Sequence, residues 1–295
     1  MENRKVGVLS KLKKETYMTA RYQTLIEKWQ YALFEEEKSQ MTIAKYIRDV
    51  SHLIEYLQGK ELTKEGLIRY KAELLQSNYT PSSINSMLSA INNFLEYIKR
   101  PDLKLKRLKT QKELFCNEKK QLTKAEYRRL FAVAKDNRRL QLIMETLAST
   151  GIRISELKYF TVERVKAGEI NVKCKNKIRK IFIPHKLCRM LRKYARQRGI
   201  TRGMIFVTRT GKPLDRSNIW KELKQLGDKA KVELSKIYPH ALRKLFARTY
   251  YNMERDVAKL ADLLGHSSVD TTRIYIMSTG QEHKKSLEQL GLLIS

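Results

Sequence analysis

Cysteine is scarce in this chain of 295 residues, and the three cysteines present are scattered at Cys116, Cys174 and Cys188. None belongs to a Cys-x-x-Cys pair, so the pattern argues against a zinc site and indicates reduced thiols in a cytosolic protein. The sequence also lacks a glycine-rich phosphate loop, a cluster of metal-ligating residues and internal repeats. We therefore expect neither a metal nor another cofactor.

Long apolar runs are missing as well. No stretch approaches the ~18 residues that a membrane-spanning helix needs. The basic N-terminus, MENRKVGVLSKLKK, lacks the apolar segment of a signal peptide, and no amphipathic anchor or lipidation signal is present. The sequence predicts a cytoplasmic protein without a membrane partner.

Acidic residues are about half as common as basic ones. The chain has 31 Asp and Glu against 61 Lys and Arg, which gives a formal net charge of +30. Such an excess repels itself in a compact chain unless a polyanion neutralises it. The composition therefore favours nucleic acid as the partner over an anionic membrane surface.

Residues 16–100 have the pattern of a helical domain. Apolar side chains recur at helical spacing between 43 and 57. The segment 80–98 begins with Thr80 as a cap and Pro81 at the first helical position. Further helices are predicted around 18–37 and 63–76. We expect a four-helix domain without strands.

The segment 98–122 is highly basic. It holds nine basic and three acidic side chains and no helical stripe, which is typical of a solvated linker. We expect a basic interdomain linker over 101–121 that can also run along a phosphate backbone.

Residues 122–295 form a second block. It opens with LTKAEYRRLF, where Thr123 and Glu126 are placed as a capping box. A helix is expected from there through about residue 149, ending near Gly151.

A small sheet is predicted next. EINVKCK and IRKIFIP are expected to form a hairpin around Asn176-Lys177, with MIFVT at 204–208 as a third strand. Helices are expected to resume from about Ser217 to the end. The sequence thus predicts a mainly α fold with a small antiparallel β-sheet.

Four short motifs of this block carry the side chains that indicate chemistry. They are TGIRISEL with Arg153 after a glycine turn, CKNK with Lys175 at a strand end, PHALRKLF with His240 and Arg243 one helical turn apart, and LLGHSSVDTTRIY with His266 and Tyr275. Each motif alone is weak. Together, in this order and spacing, they closely resemble the tyrosine recombinase, or phage integrase, family and its Xer-like members. The resemblance is highly specific over 123–295 and weaker over the first block, which resembles the family's core-DNA-binding domain.

The resemblance implies a role for each residue in opening a phosphodiester bond. Arg153 and Arg243 match the two phosphate-clamping arginines, whose planar, permanently charged forks suit the nonbridging oxygens of the transition state. Tyr275 matches the nucleophile, whose phosphotyrosyl ester keeps the bond energy for religation. His240 matches the general base or proton-positioning residue, and His266 matches the residue that hydrogen-bonds the scissile phosphate.

A lysine completes this set. Lys175 matches the strand-borne lysine that protonates the departing 5′-oxygen, with Lys173 and Lys177 as alternatives because the hairpin register is open. Glu156 is expected to be a structural or orienting partner of Arg153.

The resemblance implies a site-specific recombinase that cuts and rejoins duplex DNA through a 3′-phosphotyrosyl intermediate and a Holliday junction. Its task would be integration or excision of a mobile element, or dimer resolution. The alternatives are a type IB topoisomerase or telomere resolvase, which performs no exchange between sites, and a DNA-binding protein with a vestigial site. The complete residue set disfavours the last.

The family also implies an assembly. Two domains are expected to clamp the DNA, and four protomers to form a tetramer on it. The apolar tail, residues 282–295, is expected to dock on a neighbouring protomer, with folding back on its own domain as the alternative. An accessory directionality protein is a further candidate partner.

Overall fold

The computed structural model describes residues 20–109, 121–174, 177–208, 210–266, 268–277, 283–284 and 287–290. The chain divides into two compact units, Met1–Lys112 and Glu113–Ser295. Within the described ranges, no helix is long and apolar enough to span a bilayer.

Four helices build the described part of the first unit. They are α1 over 20–35, α2 (Gln40–Leu57), α3 (Lys64–Gln76) and α4 (Pro81–Tyr97). Hydroxyl side chains cap three of them: Ser39, Thr63 and Thr80 each accept a hydrogen bond from a backbone N–H three residues on. The apolar stripes meet around the buried Trp29 and Phe94, whose ring centroids are 5.1 Å apart. The prediction of a helical first block is confirmed.

The first part of the predicted linker packs on this unit. Leu103 and Leu105 are buried in its core. The Asn92 side chain pairs with both the N–H and the carbonyl of Leu105 at 2.8 Å, and Asn85 does the same for Leu108. The segment that follows α4 is therefore held on the first unit, and most of the remaining linker lies outside the described residues.

The second unit is mainly helical around one hairpin. Its described elements are α5 (Lys124–Val133), α6 (Arg138–Thr150), α7 (Val162–Ala167), β1 (Glu169–Cys174), β2 (Lys177–Phe182), α8 (His185–Gln197), α9 (Arg216–Gln225), α10 (Gly227–Ala230), α11 (Pro239–Glu254), α12 (Val257–Leu264) and α13 (Val269–Ile276). Short 3-10 turns lie at Ala134–Asp136, Ile154–Tyr159 and Leu234–Lys236. This confirms the predicted fold class.

The predicted helix through residue 149 is two helices. The capping box of Thr123 and Glu126 starts α5 as expected. Asn137 then interrupts the helix, because its side-chain oxygen accepts the Leu140 N–H at 3.0 Å and caps a new helix, α6. Gly151, with φ of 61°, ends α6.

The hairpin is antiparallel, as predicted, but its turn is one residue earlier. Cys174 pairs with Lys177, which leaves Lys175 and Asn176 between the strands and outside the described residues.

The predicted third strand at 204–208 is wrong. The described sheet has two strands, and Met204 and Val207 form only isolated bridges. Ile205 and Phe206 are buried in the core, so the apolar run reflects a buried loop. A short apolar run does not by itself distinguish these cases.

Helix α8 was not predicted from the sequence, which after the predicted strands places a helix only from about Ser217. One face of α8 is buried through Leu187, Leu191 and Tyr194. Most of its other residues are basic, so its apolar stripe is narrow.

Candidate active site

Arg243 lies at the centre of the second unit's C-terminal helices. Its side chain is fully buried on α11. Nη1 donates to the Gly151 carbonyl at 2.5 Å and Nη2 to the Leu264 carbonyl at 2.7 Å. Burial, followed by the charge of Arg153, lowers the Arg243 pKa to about 10. The guanidinium is thus fixed by two carbonyls at helix ends and remains charged at neutral pH.

Tyr275 meets His240 across two helices. The Tyr275 ring on α13 is 9% exposed and packs with Ala247, Leu260 and Leu264. Its hydroxyl lies 2.5 Å from His240 Nε2. Burial first, and then the charge of Arg243, lowers the His240 pKa to about 4. The imidazole is therefore neutral at pH 7 and able to accept the phenol proton.

His266 is held in one tautomer. Its Nε2 accepts a hydrogen bond from Arg243 Nη2 at 2.9 Å, because a guanidinium can only donate. Nδ1 is then the protonated nitrogen, and it donates to Thr272 Oγ1 at 2.7 Å. The His266 pKa is lowered to about 4, chiefly by burial and then by Arg243. The ring also meets Tyr275 edge-on, with centroids 5.2 Å apart.

Arg153 joins this group from the turn after Gly151. Its Nη2 donates to the Gly265 carbonyl at 3.3 Å. Glu156, which is buried, accepts from the Arg153 backbone N–H at 2.7 Å and from Nη1 at 3.2 Å. The expectation that Glu156 orients Arg153 agrees with this geometry.

Two residues of the cluster were not predicted from the sequence. Thr272, fully buried, fixes the tautomer of His266. Arg179 on β2 contacts Glu156 and the Leu263 carbonyl. A signal for Arg179 exists in the sequence: it alternates with Ile181 on the same strand and with Ile183 just after it, and both isoleucines are buried.

Five of the six predicted site residues therefore converge: Arg153, His240, Arg243, His266 and Tyr275. Lys175 lies outside the described residues, and nothing is described of the Lys173 and Lys177 side chains. Among the described residues, no group of three or more His, Cys, Asp or Glu could hold a metal ion.

An open cleft of about 370 Å³ lies beside this cluster. His240 borders it, together with Arg216, Trp220 and Tyr238. Trp220 is 44% exposed. The cluster is therefore reachable from solvent on the His240 side.

Comparison with known proteins identifies the class. Residues 120–282 match the phage integrase family, and residues 26–101 match the N-terminal SAM-like domain of phage integrases. The chain therefore belongs to the phage integrase family, as the four motifs predicted.

Its relatives narrow the class. The chain is 31% identical over 268 residues to tyrosine recombinase XerA of Pyrococcus furiosus, covering 88% of this chain and 91% of that protein. It is 28% identical over 263 residues to tyrosine recombinase XerD of Vibrio cholerae, covering 82% of this chain and 87% of that protein. The protein is a Xer-like tyrosine recombinase.

A solved structure shares the fold. The lambda integrase fragment of residues 75–356, bound to DNA, matches with a TM-score of 0.71 at 20% identity, covering 89% of this chain and 98% of that chain.

Proposed function

We propose that this protein is a site-specific recombinase that cuts and rejoins duplex DNA with Tyr275 as the nucleophile. The phenol oxygen attacks the scissile phosphorus, a phosphorus–tyrosyl oxygen bond forms, and the bond to the 5′-oxygen breaks. A 3′-phosphotyrosyl ester and a free 5′-hydroxyl result. The observation that carries the proposal is the contact of the Tyr275 hydroxyl with His240 beside a buried arginine.

The phenol proton leaves through His240. An imidazole with a pKa of about 4 is a weak base for a phenol. A bound phosphate diester brings a negative charge that opposes Arg153 and Arg243, two of the charges that lower this pKa. DNA binding should therefore strengthen His240 as a base at the moment of attack.

Arg153 and Arg243 hold the phosphate oxygens. His266 joins them once the bound phosphate raises the pKa of its imidazole, because Nε2, which accepts from Arg243 without DNA, must gain a proton to donate to a phosphate oxygen. Arg243 Nε is buried, and it has no hydrogen-bond partner among the described residues. A buried donor without an acceptor is costly, and a phosphate oxygen suits it. Two guanidinium forks next to the nucleophile stabilise the charge that develops on the nonbridging oxygens.

Lys175 is the proton donor to the departing 5′-oxygen in this scheme. Lys175 follows Cys174, the last residue of β1, in the sequence, and the family resemblance favours it over Lys173 and Lys177. The ammonium would deliver one proton to the leaving oxygen and take it back during religation.

We propose that both units hold the DNA as a clamp, over 16–100 and 122–295, with the basic linker 101–121 along the backbone. The formal net charge of +30 supports this, because neutralising many phosphates releases counterions.

We also propose a tetramer on DNA, formed by exchange of the tail 282–295. Leu287 and Leu290 are 52% and 58% exposed, which supports docking elsewhere over burial on the same domain. A groove of about 390 Å³, lined by apolar side chains including Phe246 and Met253, offers an acceptor surface.

The proposed biological task is the integration or excision of a mobile element, or dimer resolution. The proposed location is the cytoplasm. An accessory directionality protein is a further proposed partner.

A suicide DNA substrate tests the chemistry. After nicked substrate is cut, the short 5′-hydroxyl fragment diffuses away and the protein stays attached. We expect an SDS-resistant adduct with the wild type, none with Tyr275→Phe, and an adduct with the matched control Tyr194→Phe, a buried tyrosine on α8. An adduct with Tyr275→Phe would contradict the proposal. Resolution of a synthetic Holliday junction separates a recombinase from a topoisomerase.

A further inference from the structure

Arg179 is a largely buried charge that the proposed reaction does not use. Its side chain is 9% exposed, and it occupies an inward position of β2, opposite Val172 of β1. An arginine is almost never buried unless it is paired. Its partners therefore show why the position carries a charge.

Arg179 joins three separate segments of the chain. Nη2 donates to the Glu156 carboxylate, and Nη1 donates to the Leu263 carbonyl at the end of α12. Glu156 is 5% exposed and also holds Arg153. The Arg179 guanidinium thus connects three segments: the hairpin, the turn that carries Arg153 and the turn that leads to His266.

The contact with the His266 turn is close. Gly265 has φ of +63°, and a Cβ there would lie 2.4 Å from Arg179 Cδ. The stem of Arg179 therefore lies against the Gly265 backbone, which accepts the Arg153 hydrogen bond. A side chain larger than hydrogen at 265 would displace Arg179.

We infer that Arg179 is a positioning residue for DNA cleavage: it shares the Glu156 carboxylate with Arg153, so that the Arg153 side chain donates to Glu156 through Nη1 alone and keeps other N–H groups for the scissile phosphate. This inference rests on the proposed function. Without Arg179, the full charge of Glu156 would be paired by Arg153 alone. The planar fork would then close on the carboxylate as a bidentate ion pair, which leaves fewer of its N–H groups for the phosphate.

The test substitutes Arg179→Met and compares it with Lys180→Met. Lys180 is the next residue on the same strand, but it pairs with Glu169 on the exposed side, so both variants lose one charge from β2. We expect Arg179→Met to slow single-turnover cleavage of the suicide substrate by about ten- to hundredfold. Lys180→Met should stay within about twofold of the wild type. Affinity for the uncleaved DNA should change equally in the two variants.

Charge rescue separates positioning from general damage to the fold. Glu156→Gln removes the carboxylate charge, so adding it to Arg179→Met should raise the cleavage rate by about threefold or more over Arg179→Met alone. If Arg179 only supported the fold, the double variant would cleave more slowly than Arg179→Met, because Glu156→Gln would disturb another buried interaction.

The outcomes are distinct. No adduct with the wild type would overturn the proposed function. A wild-type adduct that depends on Tyr275, with Arg179→Met cleaving as fast as Lys180→Met, would overturn this inference alone. So would a double variant slower than Arg179→Met.

Discussion

Gly151→Ala should weaken both the fold and the active site. Gly151 has φ of +61°, and a Cβ there would lie 2.3 Å from Cδ1 and 2.7 Å from Cε1 of Phe246 on α11. The left-handed backbone costs a residue with a Cβ about 1–2 kcal/mol, and forcing the ring to move adds about 1–3 kcal/mol. At roughly 2–4 °C per kcal/mol, Tm should fall by roughly 4–20 °C.

The same change should slow cleavage, because the Gly151 carbonyl holds Arg243 Nη1 at 2.5 Å. Gly199→Ala is the matched control: its φ is +67°, but nothing lies within 4 Å of the added Cβ. That control isolates the backbone cost and should lower Tm by roughly 2–8 °C without affecting cleavage. Thermal unfolding and adduct formation measure the two effects. Equal Tm losses in the two variants would refute the reasoning.

Four further outcomes are expected. Arg153→Ala and Arg243→Ala should each slow cleavage by roughly two or more orders of magnitude in single-turnover assays; near-normal rates would remove these residues from the phosphate site. Cleavage should persist in EDTA, because arginine forks supply the positive charge; a strict need for a divalent ion in the cleavage step would contradict the mechanism. The pKa of His266 is about 4 in the folded chain against 6.5 ordinarily. Between these two pH values the unfolded chain binds more protons than the folded chain, so Tm should fall as the pH drops from 6.5 to about 4. His266→Asn should flatten this pH dependence of Tm, and an unchanged slope would count against the buried neutral imidazole. Deleting 283–295 should weaken paired-site assembly in gel-shift assays while one protomer still binds a half-site; normal recombination by the truncated protein would show that the tail belongs to its own domain.

Much of the fold could be predicted because local chemistry governs it. The caps at Thr80 and Thr123 and the stop at Gly151 follow from hydrogen bonds within one turn of chain. The errors share another cause. Whether the apolar run at 204–208 is a strand or a loop depends on what packs against it. Whether the helix breaks at Asn137 depends on which hydrogen bond prevails, and hydrophobic periodicity reports neither.

By itself, the sequence determined the family and the chemical inventory, since the order and spacing of Arg153, His240, Arg243, His266 and Tyr275 are properties of the linear chain. Only the tertiary structure decided how these groups work on one another. The tautomer of His266 depends on Thr272 and Arg243, and the lowered pKa values arise from burial among charges. The place of Arg179 depends on contacts with residues 23 and 84 positions away. Such effects require atoms that lie a few ångströms apart. Only folding brings residues that are distant in the sequence to within that distance.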